Sequence, residues 1–340
     1  MRESNALGHI TPTYVAVVAI SFIITVCILL NYSFNSTGGI YDQTWNPNSL
    51  SNPDSKELVQ VLRKASMESR IVIMTIVDEK WASPNSVLDL FLESFKIGKG
   101  TKRLLDHLVV ATLSSQAFQF CKSVHPHCFQ LTTFSPKLAK DKQLGVEDYR
   151  MLIRKRNDLL LEVLQLGYSL VFTEADVMWL RSPFEDIHGT KEITIPCDIE
   201  SNDAQGDSNT PDSGLFYVKS NEFSIEIFRY WKVEGVLYPN SHVDTLCNEV
   251  MINQEFIGML GGGITFLSTD YYGGFCQPSY NLSEVYTIHG NCCDSIESKV
   301  YDLRLVLDDW RKFNALSSSD GLGFFPWRAP SKCNHKSLFI

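Results

Sequence analysis

The chain has no block of basic residues, and its formal net charge is −9. Both facts argue against a surface built for a nucleic-acid backbone, although a local basic pocket for an anionic substrate remains compatible with them. No C-x-x-C pair occurs among the nine cysteines, which disfavours a structural zinc site. No internal repeat is present, and no Lys or Arg falls between Arg2 and Lys56. Charged residues make up only 20% of the 340 positions, against 44% hydrophobic and 11% aromatic. That balance excludes a wholly disordered, collagenous or coiled-coil chain and suits one large domain or two ordinary ones.

The longest apolar run lies near the N-terminus. Thr13 to Leu30 holds fifteen apolar side chains in eighteen positions and no charge. A helix of that length rises about 27 Å, close to a hydrocarbon core of ~30 Å. It is longer than the ~7–15 residues of a cleaved signal peptide and lacks a small-x-small cleavage site after it. The expectation is an uncleaved transmembrane signal anchor. Arg2 and the α-amino group precede it, so the positive-inside rule sends the remainder across the membrane in a type II topology. Eight cysteines outside the span (Cys121, Cys128, Cys197, Cys247, Cys276, Cys292, Cys293, Cys333) form an even set that suits disulfides in an oxidising lumen. Cys121 and Cys128 are near enough to close a small loop, and the adjacent Cys292 and Cys293 are expected to take separate partners. Sequons at Asn31, Asn35 and Asn281 agree with that compartment; Asn35 and Asn281 are the better acceptors, because Asn31 sits at the membrane.

The expected organisation is a cytosolic tail (1–12), a transmembrane anchor (13–31), a Ser/Asn/Gly/Pro-rich stalk (32–55), one domain (56–315) and a C-terminal tail (316–340). Within the domain, apolar strands are expected at 70–77, 108–113, 168–173, 192–196, 214–218 and 263–267. Helices are expected at 86–96, 114–121, 147–166, 221–233, 242–257 and 299–314, with Gly167 stopping the third of them. Such alternation predicts an α/β domain with a mainly parallel sheet covered on both faces, and ligands beyond the carboxyl ends of its strands.

The most informative segment is Leu170-Val-Phe-Thr-Glu-Ala-Asp-Val-Met-Trp. An apolar strand runs into Glu174 and Asp176. Acids at i and i+2 point to one side, and two hard oxygen ligands there suit Mg²⁺ or Mn²⁺ held against a diphosphate. An N-cap carboxylate in a turn is the plainer alternative.

Four stretches carry a resemblance. They are Gly167-Tyr-Ser-Leu-Val-Phe-Thr-Glu-Ala-Asp-Val-Met-Trp-Leu-Arg-Ser-Pro-Phe184, then Asp212-Ser-Gly-Leu-Phe-Tyr-Val-Lys-Ser-Asn221, then Tyr272-Gly-Gly-Phe-Cys-Gln277, and finally His289-Gly-Asn-Cys-Cys293 with Asp302-Leu-Arg-Leu-Val-Leu-Asp-Asp-Trp310. In this order, across most of residues 70–314, they resemble the plant nucleotide-diphospho-sugar transferases of glycosyltransferase family 77. The resemblance implies a Rossmann-like GT-A fold in a single-pass type II Golgi membrane protein. It implies retaining transfer of a sugar, a pentose or galactose, from a UDP-sugar donor to a cell-wall polysaccharide or wall glycoprotein. It also implies Mn²⁺ (or Mg²⁺) as cofactor, and a Golgi enzyme complex as a further partner.

Roles follow from the same resemblance. Asp176 matches the second acid of a D-x-D signature and ligates the metal. Glu174 matches the first acid, facing ribose or a metal-bound water, and His289 completes the metal shell. Thr75 to Asp78 contact base and ribose, and Gly214 lets backbone approach the donor sugar. Lys155 and Arg156 read either as a phosphate contact or, more simply, as a solvated helix face. Four departures stand out: Glu174 replaces the usual Asp, Arg181-Ser-Pro replaces Arg-Asp-Pro, Asp212-Ser-Gly replaces Asn-Thr-Gly, and His242-Val-Asp-Thr replaces His-Asp-Gln-Asp. Asp244 is the candidate catalytic acid of that last segment, provided the helix start shifts. The lost acids keep open a catalytically impaired relative that binds glycan or partner enzymes, and a metal-dependent nucleotide-sugar hydrolase is a third reading.

Overall fold

The segment Ile71–Val77 (β1) is apolar at nearly every position because both of its faces are covered. Ile71, Ile73 and Val77 pack into one core, while Val72 and Met74 pack into a second on the other side. The same alternation divides Leu108–Thr112 (β2), Ser169–Thr173 (β4) and Leu215–Val218 (β8) between the two cores. A strand buried on both faces reads as a continuous apolar run, and helices above and below make it so.

The computed structural model describes residues 53–131, 146–187, 191–199, 210–237, 253–279, 281–316 and 327–333. The chain divides into two units, Met1–Ser51 and Asn52–Ile340, and the first lies outside the described residues. The anchor expected at 13–31, Asn35, and the His242–Thr245 segment with Asp244 lie outside them too. Among the described residues, no helix is long and apolar enough to cross a membrane.

The main sheet has the order β3-β2-β1-β4-β8-β6-β7, with β9 on the other side of β6. Here β3 is Cys128–Gln130, β6 Ile193–Ile199, β7 Thr210–Pro211 and β9 Ile264–Leu267. Strands β3, β2, β1 and β4 are mutually parallel, as are β6 and β9; β8 runs against β4 and β6, and β7 against β6. The sheet is therefore mainly parallel, as expected. From β1 the chain builds outward to β2 and β3, then returns to place β4 on the opposite side of β1. That reversal leaves a crevice beyond the carboxyl ends of β1 and β4, the position where open α/β sheets bind ligands.

Helices Val87–Ile97 (α2), Ser115–Val124 (α3), Val146–Gln165 (α4), Glu222–Leu237 (α6) and Ile296–Leu316 (α8) fall within a few residues of the expected spans. Two more are short, Phe184–Ile187 (α5) and Gln254–Met259 (α7), the latter at the end of the helix expected over 242–257. Gly167 stops α4 with φ +78° and donates its N–H to the Leu164 carbonyl at 2.9 Å.

The structure differs from the sequence reading in three ways. The strand Ser169–Thr173 is fourth in the chain, because the three-residue β3 is too short for a periodic signal. A helix, Pro53–Ala65 (α1), starts inside the stretch read as stalk; Leu58, Val61, Leu62 and Ala65 bury one helical face in the second core. Residues 327–333, inside the stretch read as tail, are tied to α8. Buried Asp302 accepts the backbone N–H groups of Ser331, Lys332 and Cys333 at 2.9, 2.8 and 2.7 Å. Asp309 accepts the Arg328 N–H at 2.9 Å. Disulfides join Cys121 to Cys128, Cys276 to Cys292 and Cys293 to Cys333, so the adjacent half-cystines do take separate partners.

A three-stranded sheet completes the domain, with the order β10-β11-β5: Tyr272–Gly274, Thr287–His289 and Val177–Trp179. Its strands are three residues each and carry no helical or alternating signature that sequence could reveal.

Two outcomes are expected. Replacing Asp302 with Ala removes a buried acceptor of three N–H groups and should cost about 2–4 kcal/mol in urea unfolding; a change under ~0.5 kcal/mol would show that residues 327–333, a strap on α8, are held by the Cys293–Cys333 disulfide and Asp309 without it. His125 is buried with Nε2 on the Leu108 carbonyl at 2.7 Å, and burial pushes its pKa down. Its neutral form is the one the fold prefers, so its contribution is complete above the unfolded value of ~6.5 and is lost as pH falls below it. The stability lost between pH 7.5 and 5 should shrink in His125→Gln.

Candidate metal centre

Strand β4 ends at Thr173, and the Glu174 N–H continues the ladder by donating to the Gly214 carbonyl of the neighbouring strand at 2.7 Å. A tight turn follows, closed by the Val177 N–H on the Glu174 carbonyl at 3.2 Å. The turn carries Glu174 and Asp176 out at the mouth of the crevice. Strand β11 then runs antiparallel to β5 with His289 opposite Val177, and the Gly290 N–H bonds the Asp176 carbonyl at 2.9 Å. This pairing sets the His289 ring beside the two acids, over a hundred residues away in the chain.

The donor atoms converge. His289 Nε2 lies 3.4 Å from Asp176 Oδ1 and 3.5 Å from Glu174 Oε2. One ligand atom from each of the three residues fits within a 4.8 Å span. Asp176 is almost wholly buried, and its Oδ1 has no hydrogen-bond partner, while Lys299 from α8 binds Oδ2. A buried carboxylate oxygen left without a donor, facing an imidazole nitrogen and a second carboxylate, fits a divalent cation that takes mixed oxygen and nitrogen ligands. Burial alone would raise the Asp176 pKa, but Lys299 and His289 hold it well below the usual carboxylate range. Burial would likewise lower His289, and the Asp212 and Asp176 carboxylates overcome it and hold the imidazolium well above its usual value.

Around these donors is a cleft of about 310 Å³. Ile76, Val77 and Asp78 from the end of β1 line it, as do Trp81 and Lys299, whose ammonium lies 5.1 Å from the Trp81 ring centre. Asp78 lines the cleft, and its Oδ1 accepts the Lys80 and Trp81 N–H groups at 3.0 and 2.9 Å and so shapes the turn that presents Trp81. Burial pushes the Asp78 pKa up.

Several expectations need correcting. Thr75 does not line the cleft; it is fully buried within β1, paired with Val110, because the crevice opens only at the strand's end. Arg156 is no solvated residue. It is buried with its guanidinium carbon 5.0 and 5.6 Å from the Phe172 and Trp231 ring centres, donates to the Ser213 carbonyl at 3.2 Å, and lies 3.6 Å from Glu174 Oε1. Lys155 beside it is half-buried. At Gly214, a Cβ would lie 2.9 Å from His289 Nε2 and closer still to the ring carbon beside it. The glycine is thus required by the imidazole, a reason different from the approach of backbone to a sugar. Asn281 is exposed, its Oδ1 accepting the Ser283 N–H at 3.0 Å. Asp212 was marked in the sequence only as a departure from Asn-Thr-Gly, with no role, and Lys299 and Trp81 were not singled out, because nothing local marks a residue whose partner arrives from a distant element.

Residues 103–303 match the family described as nucleotide-diphospho-sugar transferase. A protein of Arabidopsis thaliana, uncharacterized, is 36% identical over 282 residues, which is 82% of this chain and 74% of its own. The chain belongs to the nucleotide-diphospho-sugar transferase family. Two shorter likenesses carry activities in their names. A UDP-galactose:fucoside alpha-3-galactosyltransferase of Dictyostelium discoideum is 27% identical over 85 residues, 24% of this chain and 13% of its own. A beta-arabinofuranosyltransferase of A. thaliana is 21% identical over 152 residues, 42% of this chain and 28% of its own. Membership implies a nucleotide-sugar donor and a glycan acceptor, and the metal-fitting cluster sits within the matched residues.

Gly214→Ala tests the packing at this centre. The transferase should still unfold cooperatively, with its affinity for Mn²⁺ reduced about tenfold or more by displacement of His289; unchanged Mn²⁺ binding, followed by electron paramagnetic resonance, would show that the ring has room to move.

Proposed function

We propose that this transferase is a GT-A-type, metal-dependent retaining enzyme of glycosyltransferase family 77 that moves a pentose or galactose from a UDP-sugar to a wall polysaccharide or wall glycoprotein. The observation that carries the reading is the convergence of Glu174, Asp176 and His289 with Lys299 in one cleft at the carboxyl ends of β1 and β4. The two named relatives support a galactosyl or arabinosyl donor. The sequence features of the N-terminal 55 residues support a type II Golgi membrane protein with this domain in the lumen, and the exposed Asn281 suits a glycan there.

Asp176, Glu174 and His289 would hold Mn²⁺ or Mg²⁺, which when bound neutralises charge on the departing diphosphate. The chain's own residues do the rest. Asp176 divides its oxygens, offering Oδ1 to the cation side and Oδ2 to Lys299, so the ammonium is held at the edge of the cleft where an anionic diphosphate enters. Trp81 offers a flat apolar wall to the nucleobase. Arg156, held by its two aromatic neighbours, steadies Glu174 from the side away from His289. The reaction breaks the bond between the anomeric carbon and the diphosphate oxygen and forms one to the acceptor hydroxyl oxygen on the same face; the diphosphate leaves with the electron pair of the broken bond, and the hydroxyl proton passes to it. Asp244 is the acid proposed to act beside the donor sugar.

Calorimetry of UDP binding to the full chain in detergent tests this reading. Binding is expected with Mn²⁺ and not with EDTA, and Asp176→Ala should abolish it. A folded protein that binds UDP in neither condition would make the chain a catalytically impaired relative. Release of free sugar at a rate that a glycan acceptor leaves unchanged would make it a hydrolase.

A further inference from the structure

One buried contact at the site involves a residue with no ligand role. His289 Nδ1 lies 2.9 Å from Asp212 Oδ2, and both side chains are buried. The other Asp212 oxygen, Oδ1, accepts the Gly214 N–H at 2.7 Å. We propose that Asp212 is a positioning residue that fixes the tautomer of His289: Nδ1–H donates to Asp212, and the Nε2 lone pair is turned toward Glu174 and Asp176 for a divalent cation. This inference rests on the metal reading above.

The backbone makes Asp212 a fixed reference. Its N–H donates to the Pro196 carbonyl of β6 at 2.8 Å, and the Gly214 carbonyl accepts from Glu174, so the segment is anchored on both sides. With no side chain at Gly214, the imidazole seats directly on that segment. A cation at the site displaces one of the two ring protons, and the partner of the other nitrogen decides which. A carboxylate decides it one way, because it has acceptors only. A ligating imidazole whose second nitrogen donates to a carboxylate is also the more basic ligand.

A side chain without an acceptor should leave it undecided. In Asp212→Leu neither the Gly214 N–H nor the imidazole Nδ1–H has its oxygen, and the ring is free to carry its proton on Nε2, where it points at the cation position. Asp212→Asn, which restores the residue of the family's Asn-Thr-Gly, keeps an oxygen for Nδ1–H and should preserve the wild-type tautomer.

The test uses the full chain in detergent and Mn²⁺ alone, titrated by electron paramagnetic resonance. Wild type and Asp212→Asn are expected to bind alike, and Asp212→Leu to bind 10–100-fold more weakly. In parallel, ¹⁵N spectra of the wild-type chain loaded with diamagnetic Cd²⁺ should show His289 protonated at Nδ1; the resonance is identified by its loss in His289→Gln. Asp212→Leu binding within twofold of wild type, or a wild-type spectrum with the proton on Nε2, would overturn this inference and leave the metal reading standing. A wild type that takes no Mn²⁺ would overturn both. If the Leu variant fails to fold, the wild-type spectrum decides.

Discussion

Three carboxylates, Glu174, Asp176 and Asp212, are brought around one buried imidazole. Their mutual repulsion is costly in a site shielded from water, and each needs a compensating donor or cation. The domain supplies these from different layers. Helix α4 sends Arg156 to Glu174, helix α8 sends Lys299 to Asp176, and the backbone of Gly214 serves Asp212. His289 stands at the centre, from a strand of the small second sheet. Remove any one element and a buried charge is left without its partner, so the cluster constrains the packing of helices and sheets that are otherwise independent.

The late part of the chain is secured accordingly. His289 is followed within four residues by Cys292 and Cys293, one bonded to Cys276 beyond β10 and the other to Cys333 in the strap on α8. The strap is also held by Asp302 and Asp309, buried on the helix that carries Lys299. The two residues that meet at Asp176, His289 and Lys299, therefore sit on a strand and a helix that are covalently and electrostatically tied together. A site that must keep its geometry as an anion and a cation enter and leave gains from such support, because misplaced ligands lose affinity quickly.

The cleft's chemistry accords with family membership in the nucleotide-diphospho-sugar transferases. One wall is aromatic, one edge is cationic, and the floor offers oxygen and nitrogen ligands in a compact group. The replacement of the first acid by Glu174 is accommodated within this frame. Its longer side chain spans from Arg156 on one oxygen to His289 on the other.

The sequence by itself determined the strands and helices of the central layer, the end of α4 at Gly167, and the placement of Glu174 and Asp176 at a strand's carboxyl end. These are local matters: hydrophobic period, a left-handed backbone position, and alternation along a strand. It also marked His289 and the cysteines, through motif resemblance and parity. Only the tertiary structure decided that Thr75 is inside the sheet, that Arg156 is buried against Glu174, and that Asp212 addresses His289. The strand that delivers His289 is three residues long, below the length at which periodicity is readable. The partners of Asp212 and Lys299 lie 77 and 123 residues away. Neither spacing nor composition encodes such meetings; they arise when two sheets and the helices over them close on one crevice.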